Sequence, residues 1–275
     1  MMLRCIILLL LCNPAQNYGQ DLNIISWNIK DLGKSRDDQE IKMIAEVLRD
    51  ADIVAIQEVV AKDPGGVKAV ARLADQLNRM GGKWDYRCSD PTQSSSPYKS
   101  ERYAFLWRTS KVSITGGRPY LLSELSSRVE REPYLSQFKF DNKVVSILNY
   151  HACTHKSDYP ERKEIATITE WIKAQKLDNV IWAGDMNLVI TDRAFDDILS
   201  SNYKSALTGQ KTSLKKACKD GNYLSRAEDN VLYKLNTVEY KGYSILDFVT
   251  NEKCEDVSWI RNSCSDHLPV LIQLR

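Results

Sequence analysis

The acid-imidazole pair Asp266-His267 is the stretch whose residue types point most directly to chemistry. It lies in the segment CSDHLPV, directly ahead of the apolar run LPVLIQL, which predicts the last strand of a sheet. A charged pair at the entrance of a buried strand is costly unless a metal ion or hydrogen bonds satisfy it. The pair therefore indicates a functional site to which other parts of the chain contribute.

Other polar residues stand in the same kind of position, at the ends of strand-like apolar runs. Asn28 follows LNIISW, Glu58 follows DIVAIQ, His151 follows VVSILNY and Asp185 follows VIWAG. In layered α/β folds ligands bind at the rim where strands end, so residues far apart in sequence can meet there. Asn28 alone would more often be a turn residue and Glu58 alone a surface acid. The set, and not one member, indicates a site.

The elements that must position these residues alternate between strand and helix early in the chain. Apolar residues at helical spacing predict amphipathic helices over residues 38–49, 67–78 and 160–176. The runs YLSQFKF and VVSILNY flank Asp141-Asn142 and predict a hairpin. The first strand is expected to stop at Asn28, and the segment from Lys204 to Asn222 shows no clear period. Such an order is typical of an α/β sandwich with more than one sheet.

Length and composition bound the possibilities. A chain of 275 residues with 43% hydrophobic content and no internal repeat predicts one domain with one sizeable core. The net charge of +2 is too near neutral to indicate nucleic-acid binding by itself. A polyanionic substrate would have to meet a local basic patch.

The N-terminus has the layout of an export signal: MMLR, then the apolar CIILLLLC, then the polar NPAQNYGQ. We expect cleavage between Ala15 and Gln20, which gives a signal peptide over residues 1–20, a single domain over residues 21–275, and a secreted or periplasmic product. The apolar run is too short to span a bilayer. A lipid anchor on Cys12 and a buried N-terminal strand are the alternatives.

Removal of the signal would leave an odd number of cysteines, so at least one thiol is expected to be free. Cys254 and Cys264 bracket the segment before the SDH motif and could close it by a disulfide, although sequence does not decide connectivity. The absence of Cys/His ligand spacing disfavours zinc.

Seven short motifs, taken in order, resemble the endonuclease/exonuclease/phosphatase superfamily: SWNIK, IQE, SERYAFLWR, REPY, NYH, GDMN and SDHLPV. Two of them, YKSERYAFLWR and REPY, are most similar to the deoxyribonuclease I branch and its secreted bacterial nucleases. The resemblance implies a four-layer α-β-β-α sandwich, in which two mixed β-sheets are flanked by helices.

The resemblance also implies two pairs of an imidazole and an acid, His151 with Glu101 and His267 with Asp229. Hydrolysis of a phosphodiester requires a base for the attacking water, a proton for the leaving oxygen and stabilisation of developing charge. Imidazoles transfer protons near neutral pH, and carboxylates hold them in the correct tautomer. Which imidazole is the base and which the acid stays open.

The partner of His267 has two candidates in the sequence. Asp229, in SRAEDNVLY, matches the deoxyribonuclease I pattern, whereas Asp247, in SILDFV, matches the more general pattern of the superfamily. The other motifs favour Asp229, although Glu228 replaces the aromatic residue expected before it.

Further residues are carried over from the family pattern as substrate contacts. Asp185 and Asn187 would position the phosphate or the nucleophile, and Arg131 would bind a phosphate through its two-pronged guanidinium. Tyr98 matches the DNA-groove tyrosine of the branch if one residue, such as Ser100, is inserted.

Glu58, Asn28 and Asp266 form the predicted metal site. So few protein oxygens suit Mg²⁺, which keeps several waters and uses substrate phosphate as a further ligand. Mn²⁺ would be accepted by similar ligands, and Ca²⁺ is implied by family analogy only.

The expected function is that of a metal-dependent DNA endonuclease without sequence specificity, acting as a monomer with no membrane span. Its DNA partner would be held through the phosphate backbone by Arg131 and the cluster Lys211, Lys215 and Lys216. One alternative is a phosphatase or sphingomyelinase-like lipid phosphodiesterase with the same site. Another is a catalytically inactive nucleic-acid-binding module.

Overall fold

A computed structural model describes residues 20–62, 64–154, 160–249 and 251–275. The predicted export signal, including Cys12 and the cleavage region, lies outside these residues except for Gln20. Among the helices of the described part, none is both long enough and apolar enough to cross a membrane.

The strands and helices of the chain follow in this order: β1 (Leu22–Leu32), α1 (Asp38–Leu48), β2 (Ile53–Val60), α2 (Gly65–Arg79), β3 (Trp84–Cys88), β4 (Glu101–Arg108), β5 (Ser113–Leu121), β6 (Tyr134–Phe140), β7 (Lys143–His151), α3 (Pro160–Ala174), β8 (Val180–Asp185), α4 (Asp196–Ser200), β9 (Lys204–Ser205), β10 (Leu214–Lys219), β11 (Asn222–Leu224), β12 (Asp229–Lys234), β13 (Tyr240–Ile245), α5 (Val257–Ser263) and β14 (Val270–Leu274). Short 3-10 helices cover Ser123–Leu125, Arg193–Phe195 and Asn251–Asp256.

Two six-stranded sheets form the centre of the molecule. One has the strand order β13-β14-β1-β2-β4-β3 and the other β5-β6-β7-β8-β12-β9, while β10 and β11 form a separate hairpin. Both sheets are mixed, because β1 pairs with β2 and β7 with β8 in parallel, and their other neighbours pair antiparallel.

Three apolar clusters separate four layers. Between the sheets lie residues such as Ile24, Phe105 and Ile181. The outer face of the first sheet is covered by α1, α2 and α5, and that of the second by α3 and α4. Both faces of each sheet are therefore buried, which explains why the central strands are apolar along their length. The predicted four-layer α-β-β-α sandwich is confirmed.

The helix and hairpin predictions are confirmed with small shifts at the ends. The first strand does not stop at Asn28: it passes a bulge and continues to Leu32 because Ile29 and Leu32 are fully buried and pairing with β2 resumes. The segment 204–222, which lacked a period, contains β9, β10 and the start of β11. Its strands are largely exposed, so burial imposes little alternation on the sequence.

The sequence left the disulfide pairing open, with Cys254 and Cys264 as one possibility, and the structure contains a different pair. Cys218 is bonded to Cys254, and Cys264 is a buried free cysteine. The bond ties β10 to the 3-10 helix at 251–256, two segments 36 residues apart. Cys264 instead packs among the apolar residues beneath α5.

Candidate active site

Strand register brings three of the predicted residues side by side. His151 at the end of β7 pairs with Asp185 at the end of β8, and Asp229 at the start of β12 pairs with Asp185 from the other side. Neighbouring strands lie about 4.8 Å apart, so the three side chains share one rim of the second sheet.

Gly184 allows this close arrangement. Its φ is +148°, and a Cβ at this position would lie 1.7 Å from the carbonyl oxygen of Tyr150 on β7. Only glycine fits such an approach without displacing the backbone. The glycine of the GDMN motif therefore sets the position of Asp185.

The first sheet contributes Asn28 from β1, Glu58 from β2 and Glu101 from β4. Glu58 has a φ of +59°, an uncommon conformation for a residue other than glycine. It lies where the pairing of β2 with β4 shifts register, between Ile56 and Val59. Backbone strain of this kind collects at functional sites because the surrounding structure must hold it.

A polar network joins the two sheets below the rim. The Gln57 amide donates to Asn149 Oδ1 at 2.6 Å, and Asn149 Nδ2 donates to the carbonyl oxygens of Ile56 and Ala104. All these groups are buried, so the network fixes how the sheets meet.

The first imidazole-acid pair is His151 with Glu101. His151 Nδ1 lies 2.9 Å from Glu101 Oε2, and both side chains are more than nine-tenths buried. The His151 backbone amide donates to the Tyr103 hydroxyl. The ring is therefore held with Nε2 toward Asp185, whose Oδ2 lies 3.7 Å away.

The second pair is His267 with Asp229. His267 Nδ1 lies 2.7 Å from Asp229 Oδ2, and the Thr212 hydroxyl donates to the same oxygen at 2.6 Å. His267 Nε2 lies 3.6 Å from Asp185 Oδ2. The other candidate, Asp247, is exposed and accepts hydrogen bonds from the Tyr223 hydroxyl and the Val249 amide. The structure thus places Asp229, and not Asp247, against His267.

The two imidazoles converge on one oxygen atom. Asp185 Oδ2 faces Nε2 of both rings and accepts a hydrogen bond from Asn28 Nδ2 at 3.1 Å. Asp185 Oδ1 accepts from the Asn187 amide at 2.9 Å. Two rings, each oriented by its own acid, therefore point their outer nitrogens into one space.

The carboxylates determine the charge of this space. Burial lowers the pKa of His267, but Asp229 and Asp185 outweigh burial and raise the pKa well above the ordinary 6.5. Burial also lowers the pKa of His151, but the Glu101 carboxylate outweighs burial, so the pKa of His151 also lies above 6.5. Burial raises the pKa of Asp185, but the two imidazoles prevail and hold it below its usual value.

Asn28 and Glu58 fit a hard divalent cation. Asn28 Nδ2 donates to Glu58 Oε1 at 2.9 Å and to Asp185, while its carbonyl oxygen Oδ1 is buried and lacks a donor in the described structure. A buried oxygen without a donor costs free energy unless a cation or ordered water satisfies it. Burial raises the pKa of Glu58, a penalty that a nearby positive charge would remove.

The Asp266 carboxylate has a different partner from the bonded pair Asn28 and Glu58. It forms a salt bridge with Arg261 Nη2 at 2.8 Å. The metal-ligand role of Asp266 stays a prediction. A different group has ligand atoms within 4.8 Å of one another: Asp185, Asp229 and His267. Because Nδ1 of His267 is already bonded to Asp229, this group is better suited to proton transfer.

A cavity of about 340 Å³ opens on the His151 side of the rim. Its wall includes Glu58, Glu101, Arg131 and Tyr98, with Tyr98 fully exposed. Arg131 is held rigidly: Nε donates to the Lys99 carbonyl oxygen, Nη1 donates to that of Ala152, and Glu101 lies 3.3 Å away.

A second cavity, of about 620 Å³, opens on the Asp229 side. It is lined by Asn187 and by Glu228, whose pKa burial and the Asp185 carboxylate raise to about 7. The Asn187 side chain donates to the carbonyl oxygen of Ala152, and its φ of +49° is a left-handed conformation that asparagine tolerates.

Sequence reasoning missed two supporting residues. Thr212 orients Asp229, but a threonine in a segment without period gives no signal. Ser265 lies inside the SDH motif: its hydroxyl donates to the Asn28 carbonyl oxygen at 2.6 Å and accepts from the His267 amide at 3.0 Å. Its position directly before the Asp266-His267 pair could have indicated this link between β1 and the His267 loop.

Residues 25–267 match the family described as Endonuclease/Exonuclease/phosphatase family. The chain therefore belongs to this family, whose enzymes act on phosphoester bonds and generally depend on a divalent metal ion.

A relative named "Deoxyribonuclease", from Thioalkalivibrio sp. (strain K90mix), is 33% identical over 134 residues. The match covers 48% of this chain and 34% of that protein, so the chain spans about a third of the length of its relative.

Solved structures show the same fold. An endonuclease/exonuclease/phosphatase family protein from Bacteroides thetaiotaomicron has a TM-score of 0.64 at 19% identity, over 93% of this chain and 98% of the other. D. rerio TDP2 complexed with single-strand DNA product has a TM-score of 0.62 at 16% identity, and the match covers 93% of this chain and 99% of the other. A mannosyl-6-phosphatase from B. thetaiotaomicron has a TM-score of 0.63 at 18% identity, and the match covers 92% of this chain and 99% of the other.

Proposed function

We propose that the chain is a Mg²⁺-dependent DNA endonuclease without sequence specificity. The observation that carries the reaction is the convergence of His151 Nε2 and His267 Nε2 on Asp185 Oδ2, at 3.7 and 3.6 Å. An acid and a base on opposite sides of one phosphate are what hydrolysis of a phosphodiester requires.

In the proposed reaction one imidazole accepts the proton of the attacking water at Nε2. The other donates a proton from Nε2 to the leaving oxygen. Glu101 and Asp229 keep Nδ1 of each ring protonated, which leaves Nε2 as the atom that exchanges protons. Asp185 and the Asn187 amide position the reacting groups between the rings.

Asn28 and Glu58 would hold the cation, because Asn28 Oδ1 lacks a donor among the described residues and the partly buried Glu58 carboxylate offers oxygen ligands beside it. A bound Mg²⁺ supplies charge neutralisation on the phosphate oxygens. Oxygen donors of this kind also accept Mn²⁺.

Three observations support DNA as the substrate. The cavities on either side of the dyads leave room for a chain that continues beyond the cleaved phosphate. Lysines line both of them, Lys62 and Lys99 on one side and Lys211 on the other. The relative from Thioalkalivibrio carries the name deoxyribonuclease, and the motifs around Glu101 and Arg131 resemble that branch.

The test is the nicking of supercoiled plasmid by the purified protein. We expect conversion to open circle with Mg²⁺ and none after addition of EDTA. His151→Gln and His267→Gln are each expected to slow nicking by at least ~10²-fold, the scale of a lost general acid or base. Intact plasmid together with release of phosphate from a sugar phosphate, or turnover of a phospholipid, would replace the nuclease proposal.

We also propose that residues 21–275 are exported as a monomer after removal of the signal peptide. The Cys218–Cys254 disulfide supports export, because such bonds persist mainly in oxidising compartments. N-terminal sequencing of the protein from the periplasm or medium is expected to begin between residues 16 and 21. Retention in the cytoplasm with the leader intact would contradict the proposal, and a lipid-modified Cys12 would replace it by anchoring.

A further inference from the structure

Helix α3 carries a buried acid, Glu164, that the proposed reaction does not use. Glu164 is 3% exposed and accepts three hydrogen bonds. One carboxylate oxygen accepts from the Glu130 backbone amide, and the other accepts from the Cys153 backbone amide at 2.9 Å and from the Tyr150 hydroxyl. A buried carboxylate is costly unless donors satisfy it, and these donors come from two segments that border the reaction centre.

The two backbone amides that Glu164 binds fix both ends of Arg131. Glu130 directly precedes Arg131, so the hydrogen bond to its amide sets where the Arg131 backbone lies. The Cys153 amide belongs to the same peptide group as the Ala152 carbonyl, whose oxygen accepts from Arg131 Nη1 at 3.2 Å. Because a peptide group is planar, a bond that holds its N–H also sets the direction of its carbonyl oxygen. One carboxylate therefore orients both the backbone of Arg131 and its guanidinium.

The guanidinium held in this way lies in the wall of the cavity on the His151 side. Nε of Arg131 donates to the Lys99 carbonyl oxygen and Nη1 to that of Ala152. Nη2 makes no hydrogen bond to any residue that the structure describes, so it is available to a phosphate oxygen in the cavity. A guanidinium binds phosphate through hydrogen bonds of fixed direction, so a small displacement of Arg131 would break the contact.

We propose that Glu164 is a positioning residue that holds Arg131 in the orientation in which Arg131 binds the cleaved phosphate. Glu164 acts from behind the wall of the cavity, through two backbone amides, and does not itself contact the substrate. Since Arg131 has this role only in the proposed hydrolysis of DNA, the assignment rests on the proposed function.

The test compares Glu164→Gln, Arg131→Gln and the double variant in plasmid nicking with Mg²⁺. Glutamine fills the same volume as glutamate, but its amide nitrogen cannot accept, so at least one of the two backbone amides loses its acceptor. We expect each single variant to lower kcat/KM by about 10- to 10²-fold, the scale for a displaced positioning group. Residues that act through one another are not additive, so the double variant is expected to lie within about threefold of Arg131→Gln. Losses that multiply, or a wild-type rate in Glu164→Gln, would overturn the inference.

Two control variants separate positioning from stability. Tyr150→Phe removes the third donor to Glu164 but keeps both backbone amides bonded, so it is expected to lower stability while the rate changes by no more than about twofold. Glu170→Gln removes an exposed acid of the same helix, which is paired with Arg128, and is expected to leave stability and rate unchanged. If Tyr150→Phe lost as much activity as Glu164→Gln, the effect would be one of stability and the positioning role would be refuted.

Hydrogen exchange of the Arg131 Nε–H, followed by NMR in EDTA without substrate, tests the position of the side chain independently of catalysis. The hydrogen bond to the Lys99 carbonyl oxygen is expected to slow this exchange in the wild type, and Glu164→Gln is expected to speed it at least about tenfold. Unchanged exchange in the folded variant would remove the positioning role even if the wild type nicks plasmid. Faster exchange together with no nicking by the wild type would remove the nuclease reaction alone.

Glu164→Asp keeps the inference testable if Glu164→Gln does not fold. Aspartate keeps the charge, but its shorter side chain cannot reach both backbone amides at once. The same loss of nicking and the same faster exchange of the Arg131 Nε–H are expected. Wild-type values of both would overturn the inference.

Discussion

Replacement of Asp229 by asparagine tests the role of the second dyad most sharply. The Asp229 carboxylate is 4% exposed and accepts hydrogen bonds from His267 Nδ1 at 2.7 Å and from the Thr212 hydroxyl at 2.6 Å. Asparagine keeps the volume but removes the charge and one acceptor oxygen. The amide can then leave His267 in the tautomer with the proton on Nε2, which cannot act as a base.

The expected loss follows from this geometry. Removal of a positioned acid or base costs about 10²- to 10⁴-fold in rate, which corresponds to about 3–5 kcal/mol in the activation free energy. The assay is the initial rate of plasmid nicking with Mg²⁺, with thermal unfolding as a check on folding. His267→Gln is expected to show a similar loss, because both changes disable the same imidazole.

Asp247→Asn is the matched control. Asp247 is exposed and bonded to Tyr223 and Val249, away from His267. Its substitution is expected to change the rate by no more than about twofold, the usual range for a surface position. If Asp247→Asn lost as much activity as His267→Gln and Asp229→Asn did not, the assignment of the dyad would be refuted.

Three further results are expected. Thr212→Val, which removes one of the two side-chain donors to the buried Asp229 carboxylate and leaves only His267, should lower the free energy of unfolding by about 1–3 kcal/mol in urea titrations, and no loss would mean that the bond is unimportant. Cys218→Ser should destabilise the protein by about 2–4 kcal/mol, an effect that reduction of the wild-type protein should reproduce. In EDTA, NMR titration should show that the imidazoles of His151 and His267 are still protonated above pH 6.5, because the folded protein raises both pKa values. The stability that these raised pKa values contribute is complete below pH 6.5 and is lost as the pH rises through the folded-state pKa of each imidazole. Titration of either imidazole at or below pH 6.5 would contradict the charge assignment.

Much of the fold could be predicted from sequence, because burial on both faces leaves a strong apolar signal in strands such as VIWAG. The polar residue that ends each of these strands marked the rim. Asp185 shows why this works: the strand pattern gives its position, and parallel pairing with β7 brings it beside His151.

What sequence could not predict depends on contacts between distant segments. Thr212 reaches Asp229 only because β10 lies against the His267 loop, where Ser213 and His267 form an isolated bridge. The pairing of Cys218 with Cys254 likewise follows from where β10 lies. The segment containing both Thr212 and Cys218 is mostly exposed, so no apolar period indicated its strands.

The claim that His151 and His267 serve one phosphate is tested most directly by combining their substitutions. Plasmid nicking with Mg²⁺ would be compared for the wild type, the two single variants and the double variant, all shown to be folded. When two groups act as a unit, removing either one abolishes most of the rate enhancement that they provide together. The double variant is therefore expected to be little slower than the slower of the two single variants. Losses that multiply in the double variant, or a single variant with wild-type rate, would contradict a shared reaction centre.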